Sequence, residues 1–526
     1  MDGVNAMREQ IVILWFKRDL RVVDHAPLAA AAACGLPVLP LYIVEPDYWR
    51  QPFASSRHWH FIHDSLADLH GMCARLGQPM AVHTGDAVAV FKKLHSAFDV
   101  TAIYAHEEIG NDWTYKRDTQ VLAWCAETGI ALHEFPTNGV VRRLKTRDNW
   151  AGIRNRRMAQ PCVATPAALT PLGARNTGFE LGALPDKADA LFGAPPPGAV
   201  QRGGRAEGEK LLQSFLTTRG RHYTAHMSAP GLSEIYGSRL SAHLTWGTLS
   251  AREVDQATAK CQAQLSGEAA RAWKRPLAAF RSRLAWRCHF MQKLEDQPSI
   301  EHKAMHAFFD GMREDSFDPE LFAAWQAGRT GYPLVDACMR NLTANGWITF
   351  RMRAMLVSFA SYDLWLDWRQ TGYVLARLFT DYEPGIHYSQ LQMQSGVTGI
   401  NAIRIYNPVK QSYDHDPDGA FIKKWVPELT DVPSAFVHEP WKMSRAMQQE
   451  SGCIIGQDYP EPVVDHRAAV RAAREKMARI RKMQGFSDAS KMVHAKLGSR
   501  KRTRRKARSG ARAPAAQLDM LNLLDG

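Results

Sequence analysis

Residues 11–44 read IVILWFKRDLRVVDHAPLAAAAACGLPVLPLYIV. An apolar run at 11–16, an Ala-rich helical run over Ala26–Cys34 and a second apolar run at 38–44 form one strand–helix–strand unit. Strands this continuously apolar are those buried on both faces of a parallel sheet. The pattern repeats outward. MAVHT (80–84), VTAIYA (100–105) and IALHEF (130–135) are further short strands. Ser55–Leu76, Ala87–Phe98 and Trp113–Thr128 carry helical patterns between them. Residues 1–138 therefore predict an α/β domain with a doubly wound, five-stranded parallel sheet. No G-x-G-x-x-G follows the first strand, so an ordinary dinucleotide-binding Rossmann site is not supported.

From Gly139 the texture changes. A basic stretch (VVRRLKTRDNWAGIRNRRM) runs into a Pro-, Gly- and Ala-rich one, and 139–205 reads as a long interdomain linker. Residues 206–483 read as an all-α domain, with apolar spacing of three and four in 271–294, 319–326, 333–344 and 350–368. Nine of the 15 tryptophans lie between 246 and 441. Core packing is the ordinary explanation for aromatics at helical spacing, and an aromatic-lined pocket is the other. Residues 484–526, rich in Lys, Arg, Ser and Ala, read as a disordered tail.

A chain of 526 residues is long enough for two to four domains, at about 100–200 residues each. Hydrophobic content of 45% and charged content of 23% exclude collagen-like and wholly disordered classes. The best apolar stretch, 26–44, is interrupted by Pro27, Pro37 and Pro40, so no membrane span is expected. The start, MDGVNAMREQ, lacks the form of a secretory signal, and the protein is expected in the cytoplasm. Net charge is +13, of which eight positive charges lie between Arg500 and Arg512. That cluster is either a solubilising tail or an attraction to nucleic acid. Eight scattered cysteines without C-x-x-C spacing predict reduced, buried thiols and no metal site.

More specific signals lie in the second half: SRLSAHLTWGTLS (238–250), FRSRLAWR (280–287), TGYPLVDACMRNL (330–342), GWITFRMR (346–353), LWLDWRQTG (364–372) and RIYNPVKQ (404–411) followed by DPDGAFIKKWVPEL (416–429). In this order they resemble the photolyase/cryptochrome family of flavoproteins, over about residues 10–483. The resemblance implies FAD held in the helical domain. Tyr223 and the run Gly237, Ser238, Arg239, Leu240, Ser241 match its phosphate-binding tyrosine and loop. Taken alone, Ser238 would read as a helix N-cap. Gly237 stands where the family usually has Thr. Arg353 and Asp381 match a cation–carboxylate pair beside the isoalloxazine, or form a structural ion pair. Glu383 takes the place of a second carboxylate near the pyrimidine edge. His387 replaces the usual Asn near flavin N5, where it can donate to N5 or change protonation with pH.

The resemblance also implies a flipped DNA lesion, held by stacking and cationic contacts. Trp286 matches the stacking tryptophan, though a core tryptophan in a helix has the same spacing. Arg287, Arg351 and Gln411 match positions at the DNA face, and Phe350 replaces a usual Asn there. Arg283 replaces the lesion-contacting Glu and is expected to neutralise developing negative charge. Of the three tryptophans that photoreduce FAD in the family, the middle one is Trp368. The proximal position is Leu391 and the distal one falls near Ser316. Trp365, Trp425, Tyr388 and Tyr406 are substitutes, or simply core.

The (6-4) branch needs a histidine that 346–353 lacks, and the iron–sulfur branch needs cysteine spacings this chain lacks. HYSQLQMQSGVTGIN (387–401) is similar to a divergent bacterial photolyase group favouring single-stranded lesions. Glu107, Glu108 and Trp113 follow the fourth strand, where a folate or deazaflavin antenna would sit; a solvated loop is the other reading. The tail reads as a DNA tether. Gln517–Leu521 resembles the short peptide by which bacterial repair proteins dock on the sliding clamp, or is a chance apolar end. The expected protein is a monomeric, FAD-dependent, blue-light-driven photolyase that repairs cyclobutane pyrimidine dimers in UV-damaged DNA. The alternatives are a cryptochrome-like photoreceptor, a photolyase for another UV lesion, and a light-independent nucleic-acid-binding module.

Overall fold

A computed structural model describes residues 8–173 and 179–500. Five parallel strands, β1 Gln10–Phe16, β2 Val38–Val44, β3 Ala81–Thr84, β4 Asp99–His106 and β5 Ala131–Phe135, form one sheet in the order β3-β2-β1-β4-β5. The two-residue period of β1 divides its side chains between two cores. Ile11, Ile13 and Trp15 pack with Phe91, Leu94 and Trp124 of helices Ala87–Ala97 and Asp112–Thr128. Val12, Leu14 and Phe16 pack with Trp59, Ile62 and Leu66 of helix Ser56–Arg75. That second core runs on into the helical half through Trp325, Leu342 and Trp368. The doubly wound sheet is as the apolar runs imply, and its one face is the seam between the two halves.

The helical half is built around Gly267–Asp296, which packs on Pro384–Gln394. Within the stretch read as a connector, Trp150–Ala159 is a helix with Trp150, Arg154 and Met158 buried on one face. Six arginines and one lysine over 142–157 hid that spacing, because a long cation can bury its stem while its head bonds elsewhere. The single helical pattern over 350–368 is two helices, Phe350–Ser358 and Trp368–Leu378. A wide turn at Phe359–Asp363 separates them, and the second is capped by Asp367. All five turn residues are buried, so hydropathy carries no mark of the break. The segment read as a disordered tail begins with a helix, Phe486–Leu497, pinned by Phe486 against His306 at 4.0 Å between ring centres and by fully buried Leu497. The remainder of the tail, including 517–521, lies outside the described residues. Cys34 is exposed, and Cys162 and Cys261 are half-buried; the other five cysteines are buried as expected.

Candidate active site

Five pieces of chain supply most of the wall of a cavity of about 330 Å³: the segment 223–233, the loop 237–245, the middle of Gly267–Asp296, the start of Phe350–Ser358 and the segment 379–394. Its volume lies within the range of ordinary ligand sites. Arg283, Trp286, Arg287 and Phe290 reach it because spacings of three and four keep them on one helix face.

Of the expected cofactor residues, Tyr223, Gly237, Ser238, Arg239, Ser241, Arg353, Asp381, Glu383 and His387 line the cavity. Leu240 does not. It is fully buried with Phe215, Phe280 and Leu284, so it shapes the loop from behind. Arg219, which carries no motif, also holds this loop. It donates to the carbonyls of Gly237 and Ser238 and to that of Leu211. Across a trans peptide the N–H opposes the C=O, so the amides of Ser238 and Arg239 face away from Arg219, in the manner of an anion nest. Arg239 has φ +58°, the left-handed region, and its guanidinium stacks 4.1 Å from the Trp347 ring. Ser238 Oγ accepts from Leu240 N only at 3.4 Å, so capping uses little of that hydroxyl.

A Cβ on Gly237 would lie 2.5 Å from the Ser233 carbonyl oxygen. The threonine usual in the family therefore cannot be restored without moving backbone. Gly237→Thr is expected to lower the flavin-to-protein ratio of the purified protein; a raised ratio would show that the loop yields.

Arg353 Nη2 lies 2.9 Å from Asp381 Oδ2, and its guanidinium covers Phe379 at 4.0 Å. The expected pair is present, with Asp381 Oδ1 left over. Ser241 Oγ, Asp381 Oδ1 and both amide atoms of Gln390 are buried and have no hydrogen-bond partner among the described residues, and all three residues line the cavity. Buried polar atoms are ordinarily satisfied. Hydroxyl, carboxylate and amide together suit a ligand with mixed donors and acceptors, so the residues fit FAD.

His387 departs from both roles expected of it. Its Nε2 lies 3.0 Å from the Gly372 carbonyl oxygen, which can only accept. Nε2 therefore carries the ring proton, and Nδ1 is an acceptor. Burial pushes its pKa down to about 3, so the ring neither donates to N5 nor titrates near neutrality.

Among the DNA-face residues, Trp286 and Phe350 line the cavity, Phe350 at 36% exposure on its rim. Trp286 packs on Phe290 at 5.2 Å and edge-on against His289 at 5.8 Å. Arg147 donates to His289 Nδ1 at 2.7 Å. The linker thus steadies the tryptophan, through two residues that sequence reading missed. Arg287 is turned inward. It pairs with Glu383 at 2.6 Å and donates to the Leu244 carbonyl, so its charge is consumed inside the protein. Arg283 faces the cavity, bonded to Tyr223. Arg351 and Gln411 do not line the cavity, and Gln411 is buried. Trp368 is buried beneath the Arg369 guanidinium at 4.7 Å, away from the cavity wall.

Two of the three proposed antenna residues, Glu108 and Trp113, are engaged by Arg117, while Glu107 lines the small cavity beside them. Glu108 pairs with Arg117 at 2.6 Å, and Arg117 also binds Glu45 and Asp118 while covering Trp15 at 4.8 Å and Trp113 at 5.8 Å. The cavities beside them hold about 40 and 50 Å³. A folate or deazaflavin ring system needs several times that, so these residues do not fit an antenna. Asp19, His25 and His106 converge at the carboxyl ends of β1 and β4. Asp19 Oδ2 accepts from both rings, at 2.9 and 2.7 Å, and His25 Nδ1 accepts from Leu28 N. Three of the four ring nitrogens are thereby engaged in a hydrogen-bonded lock.

Comparison with known proteins agrees with this geometry. Residues 280–479 match the family model for the FAD binding domain of DNA photolyase, and residues 12–152 match that for DNA photolyase. A deoxyribodipyrimidine photo-lyase of Streptomyces griseus is 30% identical over 86% of this chain and 96% of its own. A cryptochrome DASH of Gloeobacter violaceus is 29% identical over 87% and 94%. The crystal structure of a bacterial class III photolyase from Agrobacterium tumefaciens superposes with a TM-score of 0.78 at 24% identity, over 92% of this chain and 100% of that one. With a sheet domain, an FAD-binding helical domain and a cavity where the motif residues meet, the chain belongs to the photolyase/cryptochrome family.

Proposed function

We propose that this protein is an FAD-dependent, blue-light-driven photolyase acting on cyclobutane pyrimidine dimers in UV-damaged DNA, with single-stranded DNA its preferred substrate. One observation carries the reading: the cavity that gathers the cofactor residues also contains Trp286 and reaches the surface at Phe350. A flipped dimer stacked on Trp286 would meet the cofactor in the same enclosure. Bound reduced FAD supplies the electron that opens the cyclobutane ring. The protein's own part is positional and electrostatic. Arg283 places a cation at the lesion end, the Arg287–Glu383 pair walls the cavity, and the Arg353–Asp381 pair fixes charge at the flavin end. No antenna is included in this reading. A sliding-clamp contact through 517–521, a monomeric state and a cytoplasmic location are further parts of the proposal. No helix among the described residues is long and apolar enough to cross a membrane.

The inward turn of Arg287 and the Phe350 rim favour a second reading, a cryptochrome-like photoreceptor, because both subtract polar DNA contacts. The deciding experiment offers UV-irradiated oligothymidine, single-stranded and in duplex, to chemically reduced protein in blue light and in darkness. Light-dependent return of thymine absorbance, greater on the single strand, is expected. Absence of repair by protein with stoichiometric FAD and measurable DNA binding would shift the reading to a photoreceptor. In the same assay Arg283→Ala is expected to lower repair yield with FAD retained; an unchanged yield would remove Arg283 from the chemistry.

A further inference from the structure

The tryptophan route by which the family reduces its flavin is interrupted at Leu391, which is buried in the cavity wall. Trp286, at the lesion end of the cavity, aside, five tryptophans near by are unsuited to replace it. A guanidinium or ammonium lies 4.5 Å from the ring centre of Trp246, 4.1 Å from that of Trp347, 4.7 Å from that of Trp368 and 5.2 Å from that of Trp425. Trp365 is clasped by two, Arg313 at 4.6 Å and Lys476 at 4.3 Å. A cation over a neutral indole is attractive. Once the indole loses an electron, the same cation faces a positive ring in a medium that screens poorly.

A different arrangement begins at the cavity. Tyr382 lines it and is 1% exposed. Its hydroxyl donates to the Tyr388 hydroxyl at 3.1 Å, and Tyr388 in turn donates to Glu301 Oε1 at 3.5 Å. Asn111 Nδ2 bridges the assembly, 2.8 Å from the Tyr382 hydroxyl and 2.9 Å from Glu301 Oε1. Asp112 N holds the other carboxylate oxygen at 2.7 Å. Beyond Glu301, His302 Nε2 lies 3.9 Å away on a half-exposed side chain. No cation stacks on either tyrosine among the described residues: Tyr382 has Phe53, His58 and His387 as ring neighbours and Tyr388 has His387, burial keeps both histidines neutral, and Arg18 reaches only the Tyr382 carbonyl.

We infer that Tyr382 is the electron donor for light-driven reduction of the bound FAD, and that Tyr388 and Glu301 receive its proton. This rests on the FAD reading above. Tyr382 gives one electron to the light-excited oxidised flavin. Its O–H bond breaks, the proton passes to the Tyr388 oxygen, and the Tyr388 proton passes to Glu301, which becomes a carboxylic acid. A neutral tyrosyl remains at Tyr382, and an added thiol reduces it. Burial raises the pKa of both phenols, so neither sheds its proton before the electron leaves. Burial also raises that of Glu301, which makes the carboxylate a better base.

The test uses the whole protein with oxidised FAD, blue light and a thiol. Protein grown on ring-deuterated tyrosine is illuminated and frozen for electron paramagnetic resonance. The trapped signal is expected to narrow relative to unlabelled protein. Tyr382→Phe is expected to slow flavin photoreduction at least about tenfold with the FAD content unchanged. Glu301→Gln, which keeps one acceptor oxygen for Tyr388 and Asn111 but loses the bond from Asp112 N and removes the base, is expected to slow it less. A signal indifferent to tyrosine deuteration, or a Tyr382→Phe variant reduced at the parent rate, would overturn the assignment. The isotope experiment decides even where a variant fails to fold. Protein that carries no flavin would instead overturn the reading on which the inference rests.

Discussion

Acidification from pH 7 to pH 5 is expected to destabilise this protein by several kcal/mol. Four buried histidines hold their neutral form because burial removes the solvation of the cation: His58 and His243 with pKa about 4, His106 and His387 about 3. In the unfolded chain each titrates near 6.5. Between these values the unfolded state binds protons that the folded state does not, so stability falls as pH falls through 6.5. Buried acids oppose this, Glu301 and Asp363 among them. Desolvation raises Glu45 to about 7 and Asp336 to about 6, so both are protonated earlier in the folded state and favour it as pH falls. Over His58, His106, His243, His387, Glu45 and Asp336, four protons against two leave a net uptake of about two on unfolding. That corresponds to about 3 kcal/mol lost per pH unit near pH 5.5. Domain stabilities are about 5–15 kcal/mol, so the loss is a large share of the whole. Thermal melts between pH 7.5 and 5 check this directly. A Tm that stays level over that range would show that these rings charge in place.

Arg287→Met is expected to cost about 3–5 kcal/mol and to strip FAD from the protein. Glu383 is 4% exposed at its side chain, and Arg287 is its ion-pair partner, 12% exposed. Removing one partner of a buried pair leaves a charge without compensation. The double variant Arg287→Met/Glu383→Gln removes both charges and is expected to recover most of the stability. The flavin spectrum and a urea melt read the two effects separately. If Arg287 instead served the DNA face as the motif suggests, Arg287→Met would fold and bind FAD normally and lose only affinity for damaged DNA. That result would reverse the placement of this residue.

The two expectations rest on side chains whose residue types were in plain view but whose partners were not. Arg287 stood in a motif that suggested a rim cation. Its partner lies 96 positions along the chain, and only the packing of 379–394 against the long helix brings the two together. His387 was identified as a substitution, but its tautomer depends on the Gly372 carbonyl across a helix–helix contact. The Tyr382–Tyr388–Glu301 arrangement joins the loop before Pro384–Gln394, that helix and the short turn Pro298–Glu301, and has no local signature at all.

What the sequence by itself determined is what short-range physics decides. Apolar runs of strand length determine the parallel sheet, since a strand covered on both faces has no polar side to show. Motif spacing on one helix determines that Arg283, Trp286 and Arg287 share a face. The tertiary structure alone decided that Arg283 meets Tyr223 in the cavity while Arg287 is paired with Glu383. It also decided that Glu108 is paired with Arg117 beside a small cavity, and that Trp150–Ala159 and Phe486–Leu497 are packed helices. The reason is common to all of these. A buried charge or ring nitrogen takes its state from the nearest partner in space, and that partner is supplied by a segment far away in the chain.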